Sequence, residues 1–167
     1  MNVFPGFIGF SYLMLGAGVP TLIDTGTGFE QSNKELLEGL RTVKSDFGEK
    51  IEVTDIERII ISHGHIDHSG GLTAMIEATG GATVGVHPLD RRVLTNYAER
   101  RTVATKDVQI FMERAGLSDE RVQKMLNMYG ASKQMFTSVN VDFTFEEGTD
   151  LDGIEFYHVP GHCSGQV

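Results

Sequence analysis

A chain of 167 residues with 40% hydrophobic and 22% charged side chains has room for one domain with its own core, which excludes a disordered or fibrous protein. The net charge of −9, from 14 Lys+Arg against 23 Asp+Glu, argues against a nucleic-acid partner, because phosphate binding draws on a basic surface. One cysteine, Cys163, excludes an intrachain disulfide and points to a reducing compartment, so a cytoplasmic protein is expected.

No residue from Val3 to Ile23 is charged, yet Pro5, Gly6, Gly9, Gly16, Gly18 and Pro20 interrupt the run, and no Lys or Arg precedes Lys34. A spanning helix needs a less broken stretch and a signal peptide needs a positive start, so the segment reads as short buried strands with no membrane role. "GFSYLML" (9–15) and "VPTLID" (19–24) are the two expected strands, joined by a glycine-rich turn. "DTGTG" (24–28) follows as a tight loop. Ser32 with Glu35 has the capping-box spacing, and Leu36, Leu37, Leu40 and Val43 recur at helical intervals, predicting a helix over 32–46. Thr54 and Glu57 repeat the capping pattern at a short turn. "RIIIS" (58–62) is a compact apolar run of the kind a buried strand uses.

"GLTAMIEAT" then reads as a helix stopped by Gly80-Gly81, and "TVGVH" (83–87) as a strand. A helical insertion is expected from about 89 to 135, broken at Gly116-Leu117-Ser118 with Ser118 capping the next helix. "VDFTF" (141–145) and "IEFYHV" (154–159) read as strands joined by the acidic turn "EEGTDLDG". Strands alternating with helices make an α/β layered protein, here a single domain over 1–167.

Between the strand "RIIIS" and its following helix lies "HGHIDHSGG", with His63, His65, Asp67 and His68 in six positions. On a helix, residues two apart point about 200° from one another, so His63 and His65 could not share an ion there. On an extended segment they face the same side. The spacing therefore places both rings at the end of a strand, with Asp67 on that side if the chain stays extended. His68 joins only if the backbone turns, and Ser69-Gly70-Gly71 is expected to supply the permissive turn. Two ligand groups result: His63 with His65 for one ion, and Asp67 with His68 for a neighbouring one. Imidazole with carboxylate suits Zn²⁺, and also Fe or Mn.

A four-coordinate catalytic site needs a third protein ligand and an open position. "HVPGHCSGQ" (158–166) offers His162 just past a strand end, while His158 and His87 are read as structural and Cys163 as a small buried thiol.

His63-x-His65-x-Asp67-His68 with Ser69-Gly70-Gly71, preceded by "TLIDTG" (21–26) and followed by "VPGH" (159–162), resembles the metallo-β-lactamase superfamily over nearly the whole chain. The resemblance implies an αββα sandwich with metals at one end of the paired sheets. It assigns His63, His65 and His162 to the first metal, Asp67 and His68 to the second, and Asp24 to supporting the site from behind. It also likens the helical insertion to the substrate-facing helices of glyoxalase II and small thioesterase-like or lactonase-like members. Such proteins usually continue past the "PGH" histidine to a bridging aspartate and a last histidine ligand. The sequence stops at Val167, so the expectation is the N-terminal portion of the fold, an incomplete sandwich with an open sheet edge that invites a homodimer.

The activity implied is metal-dependent hydrolysis of an ester-like bond in a small acyl substrate such as a thioester or lactone. Hydroxide would be generated at a metal whose bound water has its pKa lowered to about 7, and Asp67 would orient or deprotonate that water. The competing expectation is a catalytically incompetent metal-binding half-fold that needs the missing segment or a partner chain.

Overall fold

The glycine- and proline-broken N-terminal stretch folds as four short strands: β1 (Asn2–Phe4), β2 (Phe7–Ile8), β3 (Tyr12–Met14) and β4 (Thr21–Ile23). β1 and β2 make a separate hairpin that the strand pattern missed, and β3 and β4 are the expected pair. The computed structural model describes residues 1–133 and 136–167. They fall into two compact units, Met1–Thr95 with Val139–Val167, and Asn96–Ser138.

In the first unit, helix α1 (Glu30–Phe47) buries Leu36 and Leu40 and stops at Gly48, whose left-handed φ of 73° favours a residue without a Cβ. It begins two residues before the expected start. The Ser32 hydroxyl accepts the Thr27 N–H inside the helix, and the Glu35 carboxylate accepts the Asn2 N–H at 2.6 Å, so neither closes a capping box. The box that does form joins Glu52 and Asp55 around the 3₁₀ turn Val53–Asp55, in place of Thr54 and Glu57. Then come β5 (Arg58–Ile61), the short helix α2 (Ile66–Ser69), α3 (Leu72–Thr79), β6 (Thr83–Val86), α4 (Pro88–Thr95) and, after the second unit, β7 (Phe143–Thr144). The sheet order is β3-β4-β5-β6-β7, antiparallel at the first pair and parallel thereafter.

Strand alternation sorts the core into two faces. Leu22, Ile59, Ile61, Val84 and Val86 pack on one side with Leu36, Leu40, Leu72 and Met75 of the helices. Ile60 faces the other way, onto Phe145 and Phe156, whose rings stack at 4.1 Å. Gly85 points the same way, and a Cβ there would fall 2.2 Å from the Phe143 ring.

The predicted strand 154–159 is not a strand. Ile154 and Phe156 do turn alternately inward, but Leu151 and Ile154 make only an isolated bridge, and the Val159 N–H bonds to Gln166 O in the segment's own continuation. A strand needs a ladder to satisfy its backbone along its length, and none is formed by these residues among those described.

The expected insertion 89–135 divides. Its first helix, α4, belongs to the sheet unit, with Leu94 in the core. The second unit is formed by α5 (Tyr97–Arg114) and α6 (Asp119–Lys133), separated at Gly116 with Ser118 just ahead of α6. The expected helical end at 134–135 lies outside the described residues. No helix among the described residues is long and apolar enough to cross a membrane.

Candidate metal centre

His63 leaves the buried end of β5 and is itself only 4% exposed. The chain bends at Ser62, His63 and Gly64, and His65 is extended just ahead of α2, so the two rings come together with centroids 4.9 Å apart. His162 arrives from the loop after Val159. Its Nε2 lies 2.8 Å from Nδ1 of His65, and one ring nitrogen from each of His63, His65 and His162 fits within 4.8 Å of the others. These three imidazoles could hold one metal ion.

The extended course expected through Asp67 is corrected: the chain turns helical at Ile66, which puts Asp67 and His68 together on α2. His68 Nε2 and Asp67 Oδ2 are 3.6 Å apart, and the His68 ring sits 4.1 Å from that of His63. The second predicted ligand pair is thus adjacent to the first group.

Behind the histidines lies Asp24, buried at the end of β4 with a φ of 60°. Its carboxylate accepts the Ser62 N–H at 2.8 Å, the Ser62 hydroxyl at 2.7 Å and His68 Nδ1 at 2.7 Å. A carboxylate can only accept, so the single Ser62 proton goes to Asp24. Ser62 Oγ, 3.2 Å from His63 Nδ1, must then accept a proton from that nitrogen. The tautomer of His63 follows: Nδ1 carries the hydrogen, and Nε2 keeps its lone pair. That Nε2 is buried and has no hydrogen-bond partner.

Burial, assisted by the neighbouring imidazoles, lowers the His63 pKa to about 4 and also lowers that of His65. His63 is therefore neutral at pH 7. Its neighbour moves oppositely, because the hydrogen bond to Asp24 raises the pKa of His68. A neutral, desolvated and otherwise unpartnered imidazole is the donor a cation requires, so this residue set fits a metal.

The turn expected at Gly70-Gly71 is present between α2 and α3, but it does not use the conformational freedom of glycine. Both are right-handed, with φ of −66° and −81°, and need no special freedom. Space is what they provide. A Cβ on Gly70 would fall 2.2 Å from Thr27 O, and one on Gly71 would fall 2.1 Å from Thr25 O. The "DTGTG" loop passes against the histidine loop backbone to backbone, held by the Thr25 N–H on His68 O at 2.7 Å.

Two residues beyond the motifs belong to this construction. Ser62 is the link between Asp24 and His63. Asp90, on α4 and 2% exposed, accepts the Gly64 N–H at 2.8 Å, the Gly165 N–H at 3.0 Å and the Cys163 thiol at 3.1 Å. Nothing in "HPLD" distinguishes this aspartate from a solvated one. Cys163 is thereby a donor to Asp90, its pKa raised by burial and by that bond. His87 and His158 stack at 4.4 Å, apart from the three-histidine group, and His158 Nε2 bonds to Ser164 O at 2.9 Å, which accords with a structural role.

Beside Asp67 and His68 opens a cavity of about 330 Å³, walled by Phe4, Phe7, Ile8 and Phe10 from the N-terminal hairpin and its exit. Phe7, Ile8 and Phe10 are each 68% exposed, an uncommon amount of apolar surface for three neighbouring side chains.

Comparison with known proteins bears on the fold. The FEZ-1 metallo-beta-lactamase from Legionella gormanii superposes with a TM-score of 0.59 at 19% identity, covering 93% of this chain and 48% of that one. BJP-1, a subclass B3 metallo-beta-lactamase of Bradyrhizobium japonicum, gives a TM-score of 0.57 at 21% identity, covering 93% and 47%. At such identities the likeness establishes the fold, and the chain spans about half the length of these solved relatives. No curated protein matches the sequence. The sequence pattern of the metallo-beta-lactamase superfamily matches residues 4–167, and the chain belongs to that superfamily.

Proposed function

We propose that the chain takes part in metal-dependent hydrolysis of an ester-like bond, in a thioester, lactone or related small acyl substrate. The observation that carries this reading is the buried, unpartnered Nε2 of His63 in a group of three imidazoles, His63, His65 and His162, that each bring one ring nitrogen within 4.8 Å of the others. His63, His65 and His162 would hold the first ion, with Asp67 and His68 for a second. A bound Zn²⁺, Fe or Mn ion supplies an activated water near neutral pH and a Lewis acid for the substrate carbonyl.

The protein's own contribution is orientation and proton handling. Asp67, next to the imidazoles and lining the cavity, positions the attacking water and takes its proton. Ser62 and Asp24 keep the lone pair of His63 on the correct nitrogen. The Phe4–Phe10 wall receives the apolar part of the acyl group. One sheet edge, β7, is two residues long and is proposed to pair with a second copy of the chain, a reading that light scattering showing a monomer at high concentration would overturn.

The test has two stages. Elemental analysis of protein prepared with Zn²⁺ or Mn²⁺ gives metal per chain, and a panel of thioesters and lactones then gives turnover. Asp67→Asn should cut turnover about 100-fold or more while metal at the three histidines is retained. Equal activity in the two proteins would remove Asp67 from this role. Because the chain spans about half of its solved relatives, a second reading stands beside the first: a metal-binding half-fold that acts only with a further segment or a partner chain. Metal bound without hydrolysis of any ester selects that reading.

A further inference from the structure

His162 reaches the site from a loop 97 residues away from His65, and that loop has neither helix nor strand to stiffen it. Two imidazoles fixed at the end of β5 bind an ion well only if the third is held at the right separation. We propose that Asp90 is the positioning residue that sets this separation, by tying the His63-Gly64-His65 turn and the His162–Gly165 loop to one carboxylate.

The contacts support the assignment from both sides. Oδ2 of Asp90 takes the Gly64 N–H, between the two first ligands, and also the Cys163 thiol, next to the third. Oδ1 takes the Gly165 N–H. Gly165 is itself fitted to the carboxylate, for a Cβ there would sit 2.7 Å from Asp90 Cγ. Two further ties of this loop, Val167 N–H to Ser62 O and Val159 N–H to Gln166 O, run backbone to backbone, and His158 Nε2 bonds to Ser164 O within it. Besides the direct His65–His162 contact at 2.8 Å, Asp90 bonds to both ligand-bearing segments from a position outside the three imidazoles. It costs a buried charge to keep such a carboxylate, and three converging donors offset that cost.

The inference rests on reading the three imidazoles as a metal site, while the tie itself exists without an ion and can be measured without one. In the metal-free full chain, Asp90→Asn replaces one acceptor oxygen by an NH₂ group facing a donor. Amide exchange at Gly64 or Gly165 should then accelerate about tenfold or more, with β5 amides unchanged. With Co²⁺ as the probe, affinity by chelator competition should fall about 10- to 100-fold, and the ligand-field absorption should change in shape. Cys163→Ser keeps a donor to Asp90 and should stay close to the parent, whereas Cys163→Ala should lose affinity.

Wild-type protection of both glycine amides in Asp90→Asn would overturn the proposal, as would unchanged Co²⁺ affinity and spectrum. Should Asp90→Asn fail to fold, the two cysteine variants decide instead, and equal affinities for them would overturn it. A parent chain that takes up no Co²⁺ defeats the metal reading of the histidines, and the amide rates then judge the tie alone.

Discussion

Asp24 Oδ2 and His68 Nδ1 are separated by 44 residues of sequence and by 2.7 Å in space. The same carboxylate holds both the N–H and the hydroxyl of Ser62. Asp24→Ala removes the acceptor for all three and leaves an alanine at a φ of 60°, so it should destabilise the chain by about 3 kcal/mol. Asp24→Asn keeps an oxygen and tolerates that backbone, and should lose less. Urea midpoints in the order parent, Asn, Ala are expected; an alanine variant as stable as the parent would contradict the role.

Glycine substitutions distinguish close approach from mere flexibility. Gly71→Ala drives a methyl into Thr25 O and should cost about 2–3 kcal/mol. Gly39→Ala, inside α1 with open space around its Cβ position, should gain up to about 1 kcal/mol. Chemical denaturation of the two variants measures both signs.

Stability should depend on pH in opposite senses through two neighbouring imidazoles. The folded His63 pKa is about 4 against about 6.5 unfolded, so the unfolded chain binds a proton that the folded chain refuses. Metal-free stability therefore falls as pH drops from about 6.5 toward 4. His68 has its pKa raised, so its contribution is complete below about 6.5 and is lost as pH climbs through the raised value. Urea midpoints across this range should show a flatter acid limb in His63→Gln and a flatter limb above 6.5 in His68→Gln. Curves parallel to the parent would count against both assignments.

Metal should stabilise the folded chain by mass action. Free Zn²⁺ at 100 times its dissociation constant adds about 2.7 kcal/mol if only the folded state binds it. Chelation should reverse the gain, and His162→Ala should abolish most of it. A thermal midpoint indifferent to Zn²⁺ in the parent would refute the three-histidine site.

Local chemistry made much of this legible from sequence. The compact apolar run "RIIIS" needs no distant partner to suggest a buried strand, and Ile59, Ile60 and Ile61 do face alternate sides of the sheet. The i, i+2 spacing of His63 and His65 suggests an extended backbone; the chain bends at 62–64 instead, yet His63, His65 and His162 still converge. What local pattern could not supply is who lies beside whom. Ser32 and Glu35 look like a cap until Thr27 and Asn2 take their hydrogen bonds. Residues 154–159 alternate like a strand but have no ladder to join. Gly70 and Gly71 resemble a flexible turn, yet they are small because another backbone passes over them, and Asp90 matters only because two loops converge on it. Periodicity and ligand type are properties of neighbours along the chain, whereas hydrogen-bond partners and steric clearance arise between segments far apart in it. Tertiary structure alone decides those.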